Sequence, residues 1–367
     1  MNYPMNIPYT MNIPIVGHET MRLLGETDTV RIPDRLMDLI GVEAGDTLRL
    51  ANGQILFAAK AFPKDAGEAT AFVSKVEHEL SIGNMLATTL SPNTMTIGCD
   101  PEFILLDKAS GEVVDANEVF IGKGPLGCDA GLAEIRPAPC LDPAGVVKNI
   151  RKLLYTAQMQ TRHLPIACSS YKGWMAGFHI HFGFPKALLL QAAEHSREFI
   201  ENAILVLDYL VGIPAMLRDN SDSRRTSCVA YGRPGDYRIS ENTLEYRVPG
   251  GFHLRCPRYS LELMTAAYIV MEDIIGRARL ASKYWSDMSK FFSEEHFSEV
   301  YNTPDRKTIA DIMVSENRTA AVEEVERIRT TFENSLYGYS QSKHLVDSFL
   351  SADSAVGPFV FDNWLAT

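Results

Sequence analysis

The sequence predicts an α+β fold: an antiparallel sheet with helices on one face, preceded by a small β-rich module. Three observations predict it. From Met95 onward, short segments alternating apolar and polar residues are interleaved with long segments of helical periodicity. Four of the alternating segments carry a pair of charged or imidazole side chains two residues apart. The helical segments open on strong start signals, Asp142-Pro143, Pro185 and Pro257.

The chain begins with a repeated phrase, Met1-Asn2-Tyr3-Pro4, Met5-Asn6-Ile7-Pro8 and Met11-Asn12-Ile13-Pro14. Prolines at that density exclude helix and interior strand, so residues 1–20 are expected to form an extended arm, either a solvated tail or an arm docked on a second subunit. Residues 21–92 are expected to form a separate module. Within it, Val30–Leu50 reads as strand, a short helix from Pro33 to Ile40, a turn at Ala44-Gly45-Asp46 and a strand, with a hairpin at Asn52-Gly53 leading into Gln54–Ala59. This phrase resembles the swapped-hairpin barrel of AbrB-type transition-state regulators over about Thr29 to Phe62. DNA binding is not expected of it, since five basic residues face six acidic ones between Arg22 and Lys60. An accessory or oligomerising role fits better.

Residues 93–285 are expected to form the core. Asp142 caps a helix with Pro143 at its first position, and Val146, Ile150, Leu153, Leu154 and Ala157 recur at helical spacing. A second helix is expected from Pro185 to about Val211, ahead of Gly212, and a third from Pro257 through Leu261, Met264, Tyr268, Met271 and Ile275. Residues 286–367 read as a helical C-terminal region.

The chemistry lies in the four strands. They carry Asp100 and Glu102, Glu134 and Arg136, His179 and His181, and Glu245 and Arg247. Side chains two apart on a strand project to the same side. The residues beside them, among them Phe103, Ile135, Phe178, Ile180, Leu244 and Tyr246, are apolar and suited to packing under helices. One pair of this kind usually marks a solvated face or a local ion pair. Four pairs in one chain predict a sheet with one apolar face and one face bearing carboxylates, imidazoles and guanidiniums. Carboxylates with a histidine suit Mg²⁺ or Mn²⁺, and guanidiniums suit phosphate oxygens. Arg218, Arg224, Arg225, Arg233 and Arg238 follow around Gly232, Pro234 and Gly235, which reads as a loop closing over phosphates. Gly122–Gly127 spells a dinucleotide fingerprint, but a strand-like segment follows where that fingerprint requires a helix, so it reads as a glycine loop.

With these segments quoted, the chain resembles the carboxylate–amine ligases of the glutamine synthetase/glutamate–cysteine ligase superfamily, and within it the phage-encoded COOH–NH2 ligase type 2 family, over roughly Thr94 to Tyr284. Gly98–Phe103 looks like the family's first metal strand, Asp129–Arg136 the second, Phe178–His181 the histidine strand, and Tyr231–Arg238 with Leu244–Arg247 the nucleotide and final metal segments. The resemblance implies an ATP-dependent ligase that forms an amide through an acyl phosphate. It implies Glu102, Glu134, His179 and Glu245 as ligands of Mg²⁺ or Mn²⁺, and Arg225, Arg238 and Arg247 as groups steadying the phosphoryl in flight. His181, Arg136, Arg225 and Arg238 are expected at the nucleotide, and Asp100, where many relatives carry Glu, is expected as the base that deprotonates the amine.

Composition limits the alternatives. The formal net charge of -11 disfavours nucleic acid as a partner. Six scattered cysteines without a C-x-x-C pair fit a reducing compartment, so a host-cell cytoplasmic location is expected, with a place in a virion as the second option. Asp208 interrupts the best apolar run, so no membrane span is expected. The resemblance implies small-molecule or peptide substrates, and the N-terminal module leads us to expect a homo-oligomer. A zinc amidohydrolase would need further strand-end histidines, which His195, His253, His296 and His344 do not supply. A virion scaffold retaining the fold would have no need of so many like charges on one face.

Overall fold

The computed structural model describes residues 29–32, 47–49, 55–60, 95–120, 124–183, 196–219, 225, 232–240, 243–284, 293–315, 317–336, 338–353 and 355–365. It divides into two compact units, one containing residues 1–95, 184–191 and 275–286 and the other containing the rest.

In the first unit the described strands are β1 (Thr29–Ile32), β2 (Thr47–Arg49) and β3 (Ile55–Lys60). They form a small sheet in the order β1-β3-β2, β3 pairing parallel with β1 and antiparallel with β2. The expected arm, the short helix from Pro33 and the remainder of the AbrB-like segment lie outside the described residues.

The second unit is built on one antiparallel sheet. Its main strands are β4 (Thr96–Leu106), β6 (Leu126–Asp129), β7 (Leu132–Ile135), β11 (Phe178–Gly183), β12 (Tyr237–Ser240) and β13 (Thr243–Tyr246), in the order β12-β13-β11-β4-β7-β6. The short β5 (Val113–Val114) and β8 (Leu164–Ile166) pair with the far end of β4, and β9 (Ser170–Tyr171) and β10 (Trp174–Met175) form a hairpin of their own. The apolar half of the alternation is fully buried, with Phe103, Ile135, Phe178, Ile180, Phe182, Tyr246 and Val248 all at 0% exposure. Pro101 sits mid-sheet without an amide hydrogen to donate. Glu102 donates its N–H to the carbonyl of Gly177, just ahead of β11, so the nitrogen of Pro101 faces the β7 side, where the β4–β7 ladder stops at Glu102.

Helix α1 (Pro143–Gln160) begins as expected. The Asp142 carboxylate accepts from the Gly145 N–H at 2.8 Å, and Val146, Ile150, Leu154 and Ala157 are buried. The expected start of the next helix at Pro185 lies outside the described residues, and its end differs from the expectation of Val211. Helix α2 (Ser196–Leu207) passes through a π-helical segment, Asp208–Gly212, into α3 (Ile213–Arg218), so neither Asp208 nor Gly212 ends it. Residues Arg197–Arg218 are long and apolar enough to cross a membrane, yet 94% of that apolar window is buried within the protein, as befits a core helix. Helix α4 (Pro257–Tyr284) starts at the expected proline. The C-terminal region is helical: α5 (Glu294–Tyr301), α6 (Arg306–Val314), α7 (Arg318–Ser335), α8 (Tyr339–Leu350) and α9 (Val360–Leu365).

Candidate functional site

Strand register gathers the polar half of the alternation on one face. His179 lies opposite Asp100, and His181 lies opposite both Gly98 on β4 and Glu245 on β13. Glu245 in turn faces Arg238 on β12, while Glu102 faces Glu134 on β7. Directly opposed residues on neighbouring strands share a face, so the four strand pairs and Arg238 converge. All of them except His181 border a cleft of about 460 Å³, lined by Asp100, Glu102, Glu134, Arg136, His179, Arg238, Glu245 and Arg247, together with Cys128 and Asp129.

Within the cleft the contacts are close. The Nδ1 atom of His179 is 3.3 Å from Asp100 Oδ1 and 3.5 Å from Glu245 Oε1, and His181 Nε2 is 3.1 Å from Asp100 Oδ2. Glu245 is gripped by two guanidiniums, Arg238 Nε at 2.5 Å and Arg247 Nε at 3.0 Å. Arg136 pairs with Glu134 and also donates from Nη1 to the Gly124 carbonyl at 3.0 Å. Glu102 accepts from the Gly177 N–H at 2.6 Å.

Burial sets the protonation of these groups. Loss of water would push the Asp100 carboxyl up, but hydrogen bonds and charge from His179 and His181 outweigh it and hold Asp100 well below the usual carboxylate range. Burial would lower His181, and the Asp100 carboxylate more than reverses this. Glu134 goes the other way: burial, then the charge of Asp100, push it up to about 8 despite Arg136. Near neutral pH a proton therefore sits on Glu134, at the place where a cation's charge would relieve the same crowding.

Asp100, His181 and Glu245 offer ligand atoms that all lie within 4.8 Å of one another, the spacing a single metal ion needs. Of the ligands the resemblance implies, Glu245 belongs to this trio, while Glu102, Glu134 and His179 line the same cleft. Oxygen donors with one imidazole fit Mg²⁺ or Mn²⁺.

The arginines separate. Arg136, Arg238 and Arg247 line the cleft. Arg225 is buried, does not line it, and acts electrostatically on Tyr246, whose side chain lies on the other face of β13. Arg218 is not part of a phosphate loop: it closes α3 fully buried, 2.6 Å from Glu262 and stacked against Tyr259 and Phe349. Arg224 lies outside the described residues. Of the glycine segment expected as a loop, Gly122 and Lys123 lie outside the described residues, and Leu126 and Gly127 open β6, which forms a hairpin with β7 through Ala130 and Gly131, both at positive φ. That hairpin carries Cys128 and Asp129 to the cleft. A two-residue turn ending in glycine after Asp129 was the signal for it.

A model of the family described as phage phiEco32-like COOH.NH2 ligase-type 2 matches residues 97–340. Among solved structures, a bifunctional glutathione synthetase from Pasteurella multocida is 12% identical with a TM-score of 0.37, covering 71% of this chain and 53% of that one. A structure described as a novel glutamine synthase homolog is 13% identical with a TM-score of 0.35, covering 70% of this chain and 65% of that one. The chain thus spans between half and two thirds of the length of these two structures. No curated protein matches it in sequence.

Proposed function

This chain belongs to the phage phiEco32-like COOH.NH2 ligase-type 2 family, and we propose that it joins a small-molecule or peptide carboxylate to an amine through an acyl phosphate, using ATP with Mg²⁺ or Mn²⁺. The observation that carries this reading is the single polar face on which Asp100, Glu102, Glu134 and Glu245 lie beside Arg136, Arg238 and Arg247.

In the proposed reaction a carboxylate oxygen of the first substrate attacks the γ-phosphorus of ATP, the bond to the bridging oxygen breaks, and ADP leaves. The amine nitrogen then attacks the acyl carbon, phosphate departs with the electron pair of the carbon–oxygen bond, and the nitrogen gives up a proton. Bound divalent cations would neutralise the phosphate oxygens. Asp100, His181 and Glu245 would hold one such ion, and Glu102 and Glu134 would extend the acidic surface beside it. Arg238 and Arg247, both tethered by Glu245, are aimed to steady the phosphoryl oxygens, and Arg136 is tethered similarly by Glu134. Asp100 serves better as a ligand than as the base expected from sequence, because a carboxylate held well below its usual range takes up protons poorly at neutral pH.

The test is to supply Mg²⁺, ATP and hydroxylamine with a panel of amino acids and short peptides. A hydroxamate and ADP in equal amounts are expected for the true carboxylate substrate. Hydroxamate formed at the same rate without ATP, or ADP released with none trapped for any carboxylate, overturns the reading.

A further inference from the structure

Beneath the sheet, on the side away from the cleft, the carboxylate of Asp208 is 3% exposed. It accepts two hydrogen bonds. Oδ1 takes the Tyr246 hydroxyl at 2.9 Å, and Oδ2 takes the Gly235 N–H at 2.6 Å. Tyr246 is the last residue of β13, between Glu245 and Arg247 in the chain. Gly235 is the third residue of the turn Arg233-Pro234-Gly235-Asp236, with Pro234 second and Gly235 at φ +85°, the arrangement of a type II turn. The Asp236 N–H closes that turn onto the Arg233 carbonyl at 3.0 Å, and the Arg233 N–H donates back to the Asp236 carboxylate at 2.8 Å. The Asp236 carbonyl then accepts from the Arg247 N–H at 3.1 Å, and β12 with Arg238 follows directly.

The helix is adapted to make this contact. Asp208 opens the π-helical segment, whose wider turn displaces the following residues. Gly212 closes it, and a Cβ there would fall 2.8 Å from the Tyr246 hydroxyl oxygen, so a side chain at 212 would obstruct the approach of Tyr246. A buried carboxylate served by two neutral donors is costly for a packed core, whereas an apolar residue would serve packing alone.

We infer that Asp208 is a positioning residue: by binding the amide of the 233–236 turn and the hydroxyl of Tyr246 together, it fixes the start of β12 and so holds Arg238 in place across from Glu245. The functional consequence rests on the reading of the cleft as a Mg²⁺·ATP site; the anchoring itself does not.

Two measurements on the full chain test it, hydrogen exchange and calorimetric binding of Mg²⁺·ATP. In Asp208→Ala, amide exchange across residues 232–247 should speed by about tenfold or more while residues 257–274 stay as protected as in the parent. Mg²⁺·ATP should bind about tenfold more weakly. Asp208→Asn should recover most of both, since its amide can accept from Gly235 and donate to Tyr246. The Asp208→Ala/Arg238→Ala double variant should bind much more tightly than the product of the two single losses, because both act through one guanidinium. Multiplicative losses, or unchanged exchange over 232–247 in Asp208→Ala, overturn the inference. Should Asp208→Ala be insoluble, Tyr246→Phe removes one of the two hydrogen bonds, and unchanged exchange there is equally decisive against it. A parent protein that binds no Mg²⁺·ATP defeats the ligase reading instead, and the exchange arm still decides whether Asp208 is the anchor.

Discussion

Glu102 and Glu134 stand directly opposite one another in the β4–β7 ladder, both almost wholly buried. Opposed like charges weaken a sheet unless one is neutralised. Glu134 is pushed up to about 8, by burial first and by the charge of Asp100 next, and Glu102 adds to the same shift.

A cation entering beside Glu134 must displace the proton held there. Mn²⁺ affinity measured by calorimetry should rise with pH up to about 8 and then level off, by as much as about tenfold per pH unit. Glu134→Gln should bind more weakly with a shallower slope, the remainder coming from His181, which must also give up a proton to hold the ion. A slope as steep in the variant as in the parent would count against the assignment.

The metal-free protein should lose stability as pH rises from 5 to 8. Glu134 and Asp208 are raised to about 8 and about 7, while in the unfolded chain both release their protons near pH 4. Between those limits the native state binds more protons, so stability falls with pH. His181, also raised, adds the same sign, its contribution being lost as pH climbs through the folded value. Asp100, held low, contributes stability that disappears only in more acidic solution. The melting temperature in chelator should therefore drop by about 2–4 °C or more across this window. The Glu134→Gln/Asp208→Asn double variant should flatten the profile, and a melting temperature that climbs with pH contradicts it.

Arg238 and Arg225 should fail differently when removed. Arg238, with a 59% exposed side chain beside Glu245, should cost turnover, with hydroxamate trapping in Arg238→Ala falling about a hundredfold and melting little changed. Arg225 is 1% exposed and does not line the cleft, so Arg225→Ala should cost about 1–3 kcal/mol of stability before any effect on chemistry is measurable. Equal melting with lost trapping in Arg225→Ala would restore it to the active site.

ATP should bind only when Mg²⁺ or Mn²⁺ is present, since five acidic side chains border the cleft against three guanidiniums and disfavour the phosphates until a cation intervenes. Equal affinity in chelator and in Mg²⁺, measured by calorimetry, would remove the case for a metal at Glu245.

Much of the site was legible because a strand has a period of two. That rule alone put Asp100 and Glu102 on one side and Phe103 on the other, and likewise for His179, His181, Glu245 and Arg247. The partners across strands were not legible, because register is set by the assembled sheet. Nothing local says that Arg238 meets Glu245 or that His181 meets Asp100. Arg218 and Arg225 sit in the same short stretch as Arg238, yet their roles follow from burial, which the spacing of arginines does not encode. Asp208 was read as a break in an apolar run. Its two hydrogen bonds reach 27 and 38 residues along the chain, beyond any periodic pattern.

The alternation along β4 also governs how this protein tolerates change in length. Asp100, Pro101, Glu102 and Phe103 go in turn to the cleft, the core, the cleft and the core. Removing one residue between Asp100 and Glu102 would carry every later side chain of the strand to the opposite face, setting Phe103 in the cleft and a carboxylate among the helices. Point substitutions at the core positions can be absorbed by repacking, whereas single-residue insertions and deletions in β4, β11 or β13 cannot. A library of such variants should therefore show these strands as sharply bounded windows in which indels are lethal to function even where many substitutions survive.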